Sequence, residues 1–422
     1  MTKELHVYVG SNRVGRLSAL RDGRVDLEYD AEWQSRSDAY PLSVSMPLTA
    51  RHHRAAVVEP FLWGLLPDNE RILERWAQRF QVSARNAFAL LAHVGSDCAG
   101  ALRILEPSVD PTQSGSVDWL DEAGVAERLR ALRADISAWR AAADNGQFSL
   151  AGAQPKTALL FDGKRWGVPS GATPTTHILK PGILDLDASA ENEHFCLALA
   201  RELGIPAALS EVLRFEDQIA IVVERYDRQS TDAGIVRVHQ EDICQALSVH
   251  PANKYENEGG PSARAIVDLL RDVSSAQKED VRTFLSALIF NWVVAGPDAH
   301  AKNYSLLIGA GGQCRLAPLY DLASALPYTA LPIQKLKLAM KIGGKYRVRD
   351  IGRHQWEKLA GELGLDAALV SSMARDLAVR VPDAANKVLE QLGDNGRHPL
   401  LRRLRDATEE RAKHCAIILG AP

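Results

Sequence analysis

Five cysteines in 422 residues, Cys98, Cys196, Cys244, Cys314 and Cys415, lie too far apart to form any CxxC pair. That excludes a thiolate zinc site or a disulfide framework as the organising device, and a reducing cytoplasm is the expectation. An excess of charge of one sign is also missing. A net charge of −3 carries no overall nucleic-acid signature. No uncharged run reaches the ~18 residues of a membrane span, so no membrane partner is expected. The first residues, Met-Thr-Lys-Glu-Leu-His-Val-Tyr-Val, enter a strand pattern without an apolar signal core. The GxxxxGK(S/T) phosphate loop is absent, as are His-Arg before a loop aspartate and Asp-Phe-Gly. What remains is ordinary globular composition, 46% hydrophobic and 24% charged, with room for two or three domains.

One stretch organises the rest. Val293-Val-Ala-Gly-Pro-Asp-Ala-His-Ala-Lys-Asn-Tyr-Ser-Leu-Leu-Ile308 is followed by Cys314-Arg-Leu-Ala-Pro-Leu-Tyr-Asp321. Two apolar runs, 304–308 and 314–320, flank a glycine-rich turn and read as a β-hairpin. Its two ends lie side by side, which brings Asn303 and Asp321 to one mouth, with Asp298 just upstream. Phosphoryl transfer needs such a set: one carboxylate to accept a hydroxyl proton, and an amide oxygen and a second carboxylate to hold magnesium. The Asp-x4-Asn spacing equals that of the protein-kinase catalytic loop. Alone, the spacing is equally that of a polar turn before a hairpin.

Taken in order, residues 1–105 read as a small α/β unit. Strands are expected at 5–9, 14–18 and 24–29, and two helical pieces break near Pro67, the second capped by Asp68 or Asn69. Phe61, Leu62, Leu65 and Leu66 read as core. Residues 106–116, rich in Pro, Ser and Gly, read as a linker. Helical periodicity follows at 120–143 through Leu120, Val125, Leu129, Leu132 and Ile136. Ser149, Ala151, Gly152 and Ala153 then form a small-residue loop whose backbone N–H groups can approach an anion closely. It leads through Gln154 and Lys156 into a strand. Lys180 ends another strand, Thr176–Lys180; a strand lysine facing a cleft can pair with nucleotide phosphates, whereas a lone one is ordinarily solvated. A helix beginning near Glu191, with Ser189 as N-cap and Gly204 as C′, offers Glu191 or Glu193 to orient that lysine, or neither, since acids at a helix start also complement the dipole. A hairpin at 211–215 and 218–228 turns polar at Glu224, the shape of a strand emptying into an adenine-binding hinge. Helices are expected at 241–247, 264–273, 278–294, 356–363, 367–381, 385–392 and 400–419. The fold class is therefore α+β, with a β-rich first part and a helical second part. Its divisions are 1–105, a linker 106–116, a nucleotide-binding lobe 117–228 and a helical lobe 229–422.

Together these strings resemble the HipA family, the serine/threonine-kinase toxins of bacterial HipBA-type toxin–antitoxin modules. The resemblance rests on Phe148-Ser-Leu-Ala-Gly-Ala-Gln-Pro-Lys156, Thr176-His-Ile-Leu-Lys180, Val223-Glu-Arg-Tyr-Asp-Arg228 and His239-Gln-Glu-Asp-Ile-Cys-Gln-Ala-Leu247. It rests equally on Lys254-Tyr-Glu256 with Gly259-Gly-Pro261, Asp298-Ala-His-Ala-Lys-Asn303 and Leu319-Tyr-Asp321. Pro60-Phe-Leu-Trp-Gly-Leu-Leu-Pro67 and Gly95-Ser-Asp-Cys-Ala-Gly-Ala101 extend it to the amino-terminal unit. The resemblance implies a two-lobed kinase-like fold and an ATP- and Mg2+-dependent protein kinase. Asp298 would be the base, with Asn303 and Asp321 on the metal. Ala151, Gly152, Ala153, Gln154, Lys156, Lys180, His300 and Lys302 would serve the nucleotide, and Glu224 and Tyr226 would sit at the hinge. Ser149 would be an autophosphorylation site. Pro155 stands where the family pattern admits an acidic residue, and it removes one N–H from the loop.

The resemblance further implies a small HipB-like helix-turn-helix antitoxin and, as target, an aminoacyl-tRNA synthetase such as glutamyl-tRNA synthetase. Operator DNA would be met only through or beside the antitoxin. The basic set Lys335, Lys337, Lys341, Lys345, Arg347, Arg349 and Arg353 is either a DNA-facing patch or a solvated face. Two other readings stay open on the residues alone: a small-molecule phosphotransferase of the aminoglycoside type, and a non-catalytic binding module.

Overall fold

Alternation of apolar and polar residues builds the first sheet. Its buried side is carried by Leu5 and Val7, by Val14 and Leu17, and by Val25 and Leu27. In the computed structural model, which describes residues 3–135, 149–232, 234–393 and 395–420, these residues lie in an antiparallel sheet of five strands. Its order is His52–His53, Val25–Tyr29, Asn12–Ala19, Glu4–Val9 and Leu102–Leu105. Helices Ala55–Gly64, Glu70–Phe80 and Ala87–Val94 belong to the same layer of core. Asn69 caps the second of them, its side chain accepting from the Arg71 N–H at 3.0 Å. Phe61, Leu62, Leu65 and Leu66 are buried in that core, as their spacing predicts.

A second sheet has six strands, in the order Ser210–Phe215, Gln218–Glu224, His177–Pro181, Thr157–Phe161, Trp166–Pro169 and Val117–Leu120. Helix Glu122–Ala134, capped by Asp121 on the Gly124 N–H at 2.8 Å, covers one face through Val125, Ala126 and Leu129. Leu120 ends a strand rather than opening the helix, and Ile136, the last position of the expected periodicity, lies outside the described residues. No helix or strand occurs between Leu105 and Val117.

The chain divides into two units. The first comprises Met1–Pro181, Leu213–Ala252 and Ser305–Arg315, and the second Gly182–Val212, Asn253–Tyr304 and Leu316–Pro422. The first holds both sheets' inner strands. The second is mainly helical, with Ser189–Glu202, Ala263–Val273, Gln277–Val293, Arg353–Glu362, Ala367–Gln391 and Pro399–Ile418. The fold is thus α+β. Among the described residues no helix is long and apolar enough to cross a membrane.

Three local expectations are corrected. The helix near Glu191 starts at Ser189 itself: the residue before it, Ala188, is left-handed, and the Ser189 hydroxyl accepts the Ile183 N–H at 2.7 Å. Residues 239–242 are a strand, with the short helix Ile243–Ala246 following from an Asp242–Gln245 capping box. Pro382 does not end its helix, which runs unbroken over Ala367–Gln391. An interior proline costs roughly 3 kcal/mol, but Leu377, Ala378, Val381, Ala384, Ala385 and Val388 are all buried around it. That burial outweighs one lost hydrogen bond.

Glu241, on the strand His239–Asp242, shows what burial does to an acid. Its carboxylate accepts the Val44 N–H at 2.8 Å. Burial pushes its pKa up to about 8, against the smaller opposing pull of the Ser43 and Val44 hydrogen bonds. An acid whose folded value is raised binds more protons native than unfolded. Its contribution to stability is therefore complete below about 4.5 and is lost as pH rises through about 8. Glu241→Gln, which stays neutral, should melt higher than wild type at pH 8.5 by at least about 2–4 °C. The gap should shrink toward pH 5. Parallel melting curves across that range would remove this role.

Candidate active site

In the first unit the small-residue loop is tied down by its neighbours. Ser149 is fully buried, its hydroxyl donating to the Leu65 carbonyl at 2.6 Å and its N–H to the Asp97 carbonyl at 3.0 Å. Gly152 forms a parallel bridge with Pro67, and the Asp68 N–H donates to the Gly152 carbonyl at 3.1 Å. Glycine is required at 152: φ is +105°, and a Cβ there would sit 2.5 Å from Lys156 Nζ. That ammonium donates to the Ala151 carbonyl at 2.7 Å and closes the loop on itself. Gln154 reaches the Pro181 carbonyl at 3.5 Å, while Ala153 is exposed.

Strand register brings the two lysines together. Thr157 pairs with Leu179, and Ala158 with Ile178, so extending the ladder one step sets Lys156 opposite Lys180. Leu179 faces the core under helix Glu122–Ala134. By alternation, Lys156, Ala158, Ile178 and Lys180 share the other face, where Lys180 also pairs with Ile221. Both lysines are buried, at 4% and 6% exposure, and two ammonium groups on one sheet face suit a polyphosphate.

Beyond Glu224, an exposed strand end, the hinge candidate is held by buried ions. Arg225 pairs with Asp227 at 2.8 Å, and Arg228 and Arg237 reach Asp97 at 2.9 and 3.0 Å. The Gly100 N–H donates to Asp227 at 2.7 Å. Burial alone would raise the Asp97 pKa. The pull of Arg228, Arg225 and Arg237 overcomes it and holds the carboxyl well below the usual range. The Tyr226 hydroxyl donates to Gln240 Oε1, and burial raises its pKa strongly.

In the second unit, helix Gln277–Val293 delivers the Asp298 loop. Ala295 is left-handed at φ +51°, and Gly296 turns back to give its N–H to the Asn291 carbonyl at 2.7 Å. Asp298 is exposed, whereas His300, Lys302 and Asn303 are buried. The Asp298 carbonyl accepts both the His300 N–H and Asn303 Nδ2 at 2.8 Å. The Tyr320 hydroxyl donates to the Lys302 carbonyl at 2.7 Å, which links the neighbour of Asn303 to the neighbour of Asp321. Asp321 itself is left-handed at φ +53°, a conformation that aspartate tolerates better than most side chains. The chain after it returns to the helix end: Ser324 Oγ donates to the Val294 carbonyl at 2.6 Å, and Asn192 grips Ser324 at 2.8 and 3.1 Å.

The expected hairpin forms between Ser305–Ile308 and Cys314–Leu316, next to His239–Asp242 in a three-stranded sheet. Its second strand is shorter than expected because residues 317–321 leave the ladder. Leu319 instead bridges Ala207. Of the basic set, Lys341 pairs with Glu256, Arg349 with Asp350 and Arg353 with Glu357. Asp298, His300, Asn303 and Asp321 are thus gathered in one unit, and Ser149, Gly152, Lys156 and Lys180 in the other. Sequence reasoning gave no role to Tyr255, whose hydroxyl reaches Asp298 Oδ1 at 2.5 Å from 43 positions upstream. It gave none to Asp97 either. Both lay inside quoted strings, without a spacing rule that points to their partners.

Residues 5–105 match the HipA N-terminal domain and residues 148–385 the HipA-like C-terminal domain. The chain is 37% identical over 396 residues to the putative kinase Y4mE of Sinorhizobium fredii, covering 92% of this chain and 93% of that one. It is 30% identical over 414 residues to the serine/threonine-protein kinase toxin HipA of Shewanella oneidensis, covering 93% and 90%. Among solved structures it matches the Shewanella oneidensis MR-1 HipA in complex with HipB and operator DNA. The TM-score is 0.87 at 26% identity, over 98% of each chain. The loop set, the domain matches and the shared kinase-like fold agree: the chain belongs to the HipA family of serine/threonine-protein kinase toxins.

Proposed function

We propose that the chain transfers the γ-phosphoryl group of ATP to serine or threonine hydroxyls and that Asp298 is the base. The brace among Asp298, Asn303 and the Tyr320–Lys302 bond carries this reading. With its Nδ2 committed to the Asp298 carbonyl, Asn303 presents Oδ1. Together with the Asp321 carboxylate this gives two hard oxygen donors, which fit magnesium bound largely by phosphates and water. Among the described residues no cluster of three or more His, Cys, Asp or Glu could hold a metal, and a phosphate-bound magnesium needs none. When bound, the metal neutralises charge on the transferring group.

The residues divide the remaining work. Lys156 and Lys180, with the N–H groups of Ala151–Gln154, hold phosphates, helped by His300 and Lys302. The backbone at Glu224 and Tyr226 holds adenine. Asp298 accepts the acceptor hydroxyl's proton as its oxygen bonds to the γ-phosphorus. The bond from that phosphorus to the bridging oxygen breaks, and ADP leaves with its electron pair. Residues 117–228 would form the nucleotide-binding lobe and 229–422 the helical lobe.

Within this reading Ser149 is an autophosphorylation site that limits the enzyme's own activity. The target is an aminoacyl-tRNA synthetase such as glutamyl-tRNA synthetase, and a helix-turn-helix antitoxin neutralises the toxin beside operator DNA. Family membership and the relative's complex with HipB and operator DNA support it. Expression of the chain alone should arrest growth, Asp298→Ala should not, and a co-expressed helix-turn-helix partner should relieve the arrest. Phosphopeptide mapping of arrested cells should find the synthetase modified. Arrest by Asp298→Ala equal to wild type would separate toxicity from phosphoryl transfer, and an unmodified synthetase would move the target elsewhere.

A further inference from the structure

Tyr255 sits on a turn that cannot easily move. Its carbonyl accepts the N–H groups of Glu258 at 3.0 Å and Gly260 at 2.9 Å. Gly260 has no room for a side chain, since a Cβ would lie 2.2 Å from the Asn253 carbonyl oxygen and 2.7 Å from that of Tyr255. On either side of Tyr255, the Lys254 carbonyl accepts the Ala301 N–H at 3.3 Å, and the Glu256 carboxylate accepts the Lys341 N–H at 2.6 Å. The Tyr255 ring stands edge-on to His300, with centroids 4.9 Å apart and planes at 89°. From this support its hydroxyl donates to Asp298 Oδ1 at 2.5 Å.

Packing on His300 needs only the ring, so phenylalanine would satisfy it. The hydroxyl adds a charge-assisted bond to one oxygen of an exposed loop carboxylate. A free aspartate at such a position samples several rotamers. A carboxylate has two oxygens and about four acceptor sites. One donor on Oδ1 therefore fixes the group's orientation and leaves Oδ2 for an incoming hydroxyl.

We infer that Tyr255 is a positioning residue for phosphoryl transfer: it fixes the Asp298 carboxylate through Oδ1 so that Oδ2 meets the acceptor hydroxyl. The inference rests on Asp298 being the base. It makes the Lys254-Tyr255 turn part of the acceptor side of the site rather than of the nucleotide side.

The test uses the full chain with magnesium-ATP in four forms: wild type, Tyr255→Phe, Asp298→Ala and the double variant. Phosphoryl transfer is followed as ADP released. Tyr255→Phe should lower the maximal rate roughly 10-fold to 10²-fold, the scale on which misplacing a reacting group acts. The ATP concentration at half-maximal rate should stay unchanged. In the Asp298→Ala background the same substitution should cost nothing further, because no carboxylate is left to position. A structural role predicts the opposite, a loss that multiplies in both backgrounds with a lowered melting temperature. Either that multiplied loss or a Tyr255→Phe rate equal to wild type would overturn the inference. An Asp298→Ala rate equal to wild type would instead reject the base assignment beneath it, and the four rates tell these failures apart.

Discussion

Asp298→Ala should slow phosphoryl transfer by about 10²–10⁴-fold, the usual contribution of a positioned base, and leave magnesium-ATP binding nearly intact. The separation follows from geometry. The Asp298 side chain is exposed, and its backbone carbonyl, not its carboxylate, anchors Asn303. Alanine keeps that carbonyl, so the loop should hold its shape. Asn303→Ala and Asp321→Ala remove the oxygens proposed to hold magnesium and should weaken nucleotide binding and turnover together. Ser149 gives a direct readout by mass spectrometry after incubation with magnesium-ATP. Wild type should gain one phosphate there and Asp298→Ala none on the same timescale. Once modified, the residue has no way back to its resting place. A phosphoserine carries about −1.5 to −2 charges and acceptor oxygens, whereas the fully buried Ser149 hydroxyl donates to the Leu65 carbonyl. The phosphorylated loop should stay displaced, with weakened ATP affinity by calorimetry. Equal modification of wild type and Asp298→Ala would reject the base assignment. Unchanged ATP affinity after phosphorylation would reject only self-limitation.

Local chemistry made parts of this legible in the sequence. The strands expected at 5–9, 24–29 and 176–180 form at Glu4–Val9, Val25–Tyr29 and His177–Pro181, and the glycine-rich turn at 309–313 marked the hairpin. The loop carrying Asp298 and Asn303 could be recognised because both residues lie within one short segment. Contacts made by packing could not. Leu319 leaves the hairpin ladder for Ala207, more than a hundred positions away, and no local signal competes with that pairing. The Pro382 helix was misjudged for a similar reason: propensity is a weak prior, and buried tertiary contacts override it. The helix expected at 241–247 loses its first two residues, Glu241 and Asp242, to a strand paired with Leu306 and Ser305. A short segment holds both periods, and its partner decides between them. Tyr255 and Asp97 belong to the same class, since their roles depend on partners that only the fold supplies.

Asp97→Ala should be the most damaging single substitution in the first unit, costing about 3–5 kcal/mol. The carboxylate is the hub of a buried set. It accepts from Arg228 at 2.9 Å, Arg237 at 3.0 Å and the Thr175 hydroxyl at 2.7 Å, with Arg225 at 3.5 Å. Its removal leaves Arg225 and Arg228 sharing Asp227 and takes the carboxylate away from Arg237, and an uncompensated buried cation is far costlier than a lost surface pair. The Asp97 backbone carbonyl also holds the Ser149 N–H, a bond that alanine keeps, so the loss falls on the arginine cluster rather than on that contact. The pH dependence follows from the depressed carboxyl. Its stabilisation is present above the ordinary aspartate value of 3.8 and is lost only as pH falls through the lower folded value. The gap between wild type and variant should therefore be flat from pH 5 to 8 and close in strong acid. Denaturant melts of the full chain measure it. A second change separates charge from shape: adding Arg228→Met to Asp97→Ala should recover part of the loss, because it removes one stranded cation while keeping apolar volume. A double variant that lost the full sum of both single effects would show that packing, not charge balance, holds this region together.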